Sequence, residues 1–218
     1  EPAKEVVDWD MYLGPAAWAD PEGLATIAAG LAYPLTSGPG RARTRLLAQL
    51  WSAICIVTAL FFLLRHAPGV DGSGVAILCT ASALATGLVA GGVGLAMVVG
   101  HWYLTVPDLP IAWIAKLNRL TVVAMLTSLV LIALTCVIFR AELAEARSPL
   151  LGPWGLLQLG ARIATGLVLP LVFAWMTAGS LAWRNTRSAT GILYASTVLV
   201  LIGTAVSVSL QHSYGIPL

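Results

Sequence analysis

Charge is what this sequence has least of. Its 218 residues carry 12 Lys or Arg and 10 Asp or Glu, 10% of the chain, where a soluble domain carries about 25%. Hydrophobic residues make up 58%, and the mean hydropathy is +0.87. A folded chain of this length still exposes about a quarter to a third of its unfolded surface, and too few polar side chains are present to cover it. A soluble globular domain and a disordered chain are both excluded. The net charge of +2 is too small for a phosphate-binding surface, so no nucleic-acid partner is expected. Cysteine is scarce as well. Cys55, Cys79 and Cys136 are scattered through apolar runs with no CxxC, which excludes zinc ribbons, covalent c-type haem and a disulfide scaffold. Walker A, HExxH and GxSxG patterns are absent, and no catalytic residue is assigned.

What remains is a series of long apolar runs. Residues 46–64, 75–100, 120–139, 156–183 and 191–210 are each near or above the roughly 20 residues that cross a bilayer core. Alternating ten-residue segments of the barrel type do not occur. The expected fold is all-α, a polytopic integral membrane helical bundle of about five transmembrane helices. The chain begins at Glu1 rather than methionine, and a span preceding it would make six. Residues 1–45 form a polar, proline-rich tail. Within it, Leu24–Leu35 is too short to cross and reads as an interfacial or re-entrant segment. Residues 46–218 form the bundle.

Basic residues alternate with each crossing. Arg41, Arg43 and Arg45 precede the first run, Lys116 and Arg119 lie between the second and third, and Arg184 and Arg187 lie between the fourth and fifth. The positive-inside rule then puts these segments in the cytoplasm and the C-terminus outside, in a bacterial-type inner membrane. The stretch 111–117, just after the second crossing, is expected to lie along the membrane surface.

Four groups of residues carry chemistry. Gly87, Gly91 and Gly94 form a smooth stripe suited to close helix packing. His101, Tyr103 and Asp108, at the inner end of the second run, combine imidazole, phenol and carboxylate and suit a quinone headgroup. His66 and His212, at the outer ends of the first and fifth runs, have the makings of axial metal ligands for a haem b. Arg162 sits deepest in any apolar run. It is expected to face the protein interior and pair with an anion, such as a haem propionate.

The functional expectation is an integral membrane subunit of a larger complex, associated with electron transfer through haem b or quinone. Its partners are other membrane subunits and lipids. The alternatives are a cofactor-free assembly subunit and, third, a small transporter or channel, for which no buried carboxylate or inverted repeat is visible. Residues Val7–Ala16, VDWDMYLGPA, resemble a ten-residue stretch of Gfo/Idh/MocA-type oxidoreductases. No GxGxxG accompanies them, and the likeness implies nothing further for the chain.

Overall fold

The computed structural model describes residues 42–65, 72–106, 110–145, 149–214, 216 and 218. All regular structure among them is helical. Helix α1 spans Ala42–Arg65, α2 Ser73–Thr105, α3 Ala112–Ile138 and the short α4 Arg140–Glu145. Helix α5, Pro153–Ile163, runs through a π-helical turn, Ala164–Val168, into α6, Leu169–Ala182; α7 is Thr186–Tyr214. Four of these segments are long and apolar enough to cross a membrane: Ser73–Thr105, Ala112–Ile138, Pro153–Ala182 and Thr186–Tyr214. The chain is a multi-pass membrane helical bundle. Against the expected five crossings, the first run is helical too, but its apolar part is the shorter Gln49–Phe62. The segment Leu24–Leu35 lies outside the described residues.

The chain divides into two compact units, Glu1–Ala76 and Ile77–Leu218. In the second, the buried positions follow one rule. Along α2 the main series is Cys79, Ser82, Thr86, Val89, Val93, Ala96 and Gly100, with Thr80 and Ala85 buried beside it. On α3 it is Ile114, Asn118, Thr121, Met125, Ser128, Ile132 and Thr135, with Ala124 beside it, and on α7 Ala189, Leu193, Ser196, Val200, Gly203, Ser207 and Leu210, with Thr190 beside it. Steps of three and four alternate throughout, the 3.5-residue period of left-handed, knobs-into-holes packing. The inner positions mix aliphatic side chains such as Ile114, Met125, Ile132 and Val200 with small or hydroxylated ones such as Ala96, Gly203, Thr121 and Ser128; the small ones allow the close packing on which association in lipid depends. Large apolar side chains such as Val130, Val137, Val198 and Leu201 point outward.

The third crossing breaks the rule once, at a definable place. Gly155, Arg162 and Gly166 face inward with Leu159 half-buried beside them and Leu167 fully buried in the π turn, and the series resumes at Pro170, Ala174, Thr177 and Leu181. The step from 166 to 170 comes one residue late. The π turn supplies that residue: the Leu169 N–H bonds Ala164 O, five residues back. Proline at 170 has no N–H and crowds the preceding turn, so a widened turn is a low-cost solution. Read from the sequence, a proline inside the fourth apolar run should kink its helix; the structure answers Pro170 with a π turn and a shift of register.

The ends of the crossings also differ from expectation. Helix α3 begins at Ala112, so most of 111–117 belongs to the crossing helix instead of lying along the surface; Ile114 is fully buried. Exposed Trp102, Trp113 and Trp183 collect at this end of the bundle. The Lys116 ammonium stands 5.2 Å from the Trp113 ring, a cation–π contact suited to the headgroup layer. Asn185 opens α7, accepting from the Ser188 N–H at 3.0 Å, an N-cap that satisfies one of the free amides of the first turn.

The register shift is testable by deletion. Removing Val168 together with Pro170→Ala, which takes away the ring that crowds the turn, should restore an unbroken α-helix with both inner faces aligned, leaving folded yield and thermal midpoint in detergent near the parent's. Removing Val172, in regular helix, rotates everything beyond it by about 100° and should abolish a folded, monodisperse product.

Candidate functional site

The largest fully buried side chain in the bundle is Arg162, with 1% of its surface exposed. It is nine residues beyond Pro153, about 13 Å along the helix. Its Nη2 donates to Thr86 Oγ1 of α2 at 3.0 Å and to Ser128 Oγ of α3 at 3.2 Å. Both acceptors lie near the middle of their helices, so the guanidinium is held well inside the bundle. Its Nε has no hydrogen-bond partner. The two acidic side chains among the described residues, Glu142 and Glu145, are exposed.

Two glycines make this placement sterically feasible. A Cβ on Gly166 would stand 2.8 Å from Arg162 Nη1 and 2.9 Å from Gly203 Cα, while one on Gly203 would lie 2.1 Å from Gly166 Cα. The backbones of the third and fourth crossings touch here, and any side chain would push them apart. One turn before Arg162, Gln158 carries a buried Oε1 that also lacks a partner.

The expected outer-face group of His66, His212 and Arg162 is only partly described. His66 lies outside the described residues. His212 is exposed in the last turn of α7. Contact between Gly166 and Gly203 sets Arg162 level with about residue 207, leaving His212 roughly 8 Å nearer the bundle end. The structure gives Arg162 two hydroxyl partners, Thr86 and Ser128, that sequence reading did not single out. Each is one of several hydroxyls in its apolar run, Ser82 lying one turn before Thr86 and Thr127 adjoining Ser128, and only the packing reveals which of them converge.

At the opposite end the expected trio also separates. Asp108 lies outside the described residues. The Tyr103 hydroxyl donates to the Pro110 carbonyl and so closes the link between α2 and α3. His101, two residues earlier and on a different helical face, pairs instead with Tyr194 of α7, whose hydroxyl is 3.3 Å from His101 Nδ1. Both side chains are exposed. Tyr194 was not anticipated; its signal was a lone phenol inside the last apolar run. Two shallow grooves lie at this end. One, of about 560 Å³, is lined by Trp175, Met176, Gly179, Trp183 and Ile192 among others. The second, of about 340 Å³, includes Asn118 and Arg119.

The glycine stripe has a distinct status. A side chain placed at Gly87, Gly91 or Gly94 meets nothing within 4 Å, whereas one at Gly92 or Gly100 would strike the Thr121 or Thr190 hydroxyl. Helix α2 therefore packs on α3 and α7 through Gly92 and Gly100, and the face bearing Gly87 and Gly91 is exposed. No three His, Cys, Asp or Glu side chains converge to hold a metal ion among the described residues. Comparisons with protein families, curated proteins and solved structures find no match to this chain.

The two hydroxyls should matter because of the charge they solvate. Replacing Thr86 with valine and Ser128 with alanine leaves a buried guanidinium unsatisfied. That should cost about 2–5 kcal/mol of stability, read by unfolding in detergent. In an Arg162→Met background the same pair should cost little, and equal losses in both backgrounds would refute the assignment.

Proposed function

We propose that this chain is an integral membrane subunit that works inside a larger membrane assembly and docks other helices on the Gly87, Gly91 and Gly94 face of α2. The observation that supports this reading most directly is the open space over those three glycines. In lipid, a small-residue face lets a second backbone approach closely, with dispersion and weak C–H···O contacts as the return. The described loops are short and carry little that could act alone outside the bilayer. Clustering of Lys116, Arg119, Arg184 and Arg187 supports a cytoplasmic location for that end, with the C-terminus outside, in a bacterial-type inner membrane. A Gly91→Leu variant should still fold, since the added side chain meets no neighbour. It should lower the native mass of the detergent-extracted assembly. An unchanged assembly would remove the docking role.

A second reading, electron transfer, is favoured by the pairing of His101 with Tyr194. Imidazole and phenol from two helices, exposed at one bundle end and hydrogen-bonded to one another, are the donors that a quinone carbonyl needs. A haem b held by His66 and His212 belongs to the same reading. Replacing His101 with alanine should reduce quinone-linked turnover of the assembly at least tenfold at normal expression, about the loss of one 1.4 kcal/mol interaction. Purified protein should show a Soret band if the haem is present. Normal turnover together with no Soret band would leave the docking role alone.

A further inference from the structure

The environment of Arg162 holds no anionic acceptor among the described residues: besides two hydroxyls it offers only the neutral, unpartnered Oε1 of Gln158, one turn earlier on the same helix. A guanidinium has five N–H donors, no acceptor, and stays charged in proteins. Two hydroxyl oxygens accept from Nη2, while Nε is buried with no partner. Thr86 and Ser128, having accepted from the arginine, each still hold an O–H to donate. Most other threonines in the bundle spend that hydrogen on the carbonyl four residues back: Thr121 on Leu117, Thr135 on Leu131, Thr190 on Thr186 and Thr204 on Val200. A positive charge, an unpaired N–H and two hydroxyl hydrogens thus meet where no carboxylate side chain of the described residues reaches, Glu142 and Glu145 being exposed. Burial of one uncompensated charge costs several kcal/mol, and hydroxyls neutralise none of it.

We infer that Arg162, with the hydroxyls of Thr86 and Ser128, binds one small monovalent anion of halide size inside the bundle. Enclosure selects the class of ligand. With 1% exposure and a position about 13 Å from the helix start, the site is out of reach of a lipid phosphate or a side chain from a partner subunit. Divalent oxyanions keep their hydration more tightly than halides and need more than three donors to replace it. A halide accepts from any direction and can sit against the Nε edge while receiving both O–H groups. Gly166 and Gly203 hold the guanidinium at this depth, since a Cβ on Gly166 would collide with Nη1. The site is independent of the docking face and of the His101–Tyr194 pair.

The test uses the full chain in detergent, with chloride as the probe and gluconate as the control at constant ionic strength. Chloride should raise the thermal midpoint saturably by several degrees, as a ligand that binds only the folded state must. Equilibrium dialysis with radiolabelled chloride should give one site per chain. Arg162→Met should abolish both effects and, lacking a charge to bury, should be at least as stable as the parent in gluconate. Ser128→Ala, which keeps the charge, should weaken chloride binding about tenfold, the worth of one 1.4 kcal/mol hydrogen bond. No chloride-specific shift and no bound label in the parent chain would overturn the inference. So would equal binding by the parent and Arg162→Met; if that variant does not fold, unchanged affinity in Ser128→Ala overturns it.

Discussion

Contact between Gly166 and Gly203 is the constraint on which the rest of the bundle depends. Bringing two helix backbones within touching distance fixes how the third and fourth crossings align along their length. It also draws in the arginine one turn earlier, which must then end among α2 and α3 instead of reaching for the headgroups. Lipid offers no hydrophobic reward for association, so geometric fit of this kind replaces it. The alternating three-and-four spacing of buried residues on α2, α3 and α7 extends the fit over the length of the helices.

The π turn between α5 and α6 belongs to the same constraint. Pro170 and the two inward-facing stretches on either side of it cannot all be accommodated in an unbroken α-helix. One additional residue between Gly166 and Pro170 resolves the conflict, at the cost of a locally weaker hydrogen-bond pattern. Arg162 and Thr177 consequently face the same interior although no single helical period connects them. Polar side chains accordingly sit within the interior, where Asn118, Ser128, Thr177 and Ser196 are buried among apolar neighbours, while Trp175 and Leu201 are exposed.

These features divide the molecule into a mid-depth site and an end site of different character. Around Arg162 the site is enclosed and holds no carboxylate of the described residues, and both its Nε and the Gln158 Oε1 one turn earlier are buried without partners. At the Lys116 end, His101 and Tyr194 are accessible, and Tyr103 serves the connection between α2 and α3. The open face of α2 lies between these levels, free of any neighbour within the four-crossing unit. Enclosure suits a small ion, and an open small-residue face suits another helix.

Membrane class, helical architecture and the approximate spans were all legible in the sequence, because a bilayer imposes its length and polarity on any segment that crosses it, irrespective of neighbours. Arg162 was conspicuous for the same reason, as a charge where charge is expensive. Its partners were not, since Thr86 and Ser128 look like any other hydroxyl in an apolar run and meet only when three helices pack. The same holds for Tyr194 beside His101, and for which glycines are covered and which are open. Gly91 and Gly92 are adjacent in sequence, yet about 100° of helical rotation puts one toward lipid and the other against Thr121. Local composition dictates what can cross the membrane; only tertiary packing decides which side of each helix faces its neighbours, because that depends on register between segments far apart in the chain.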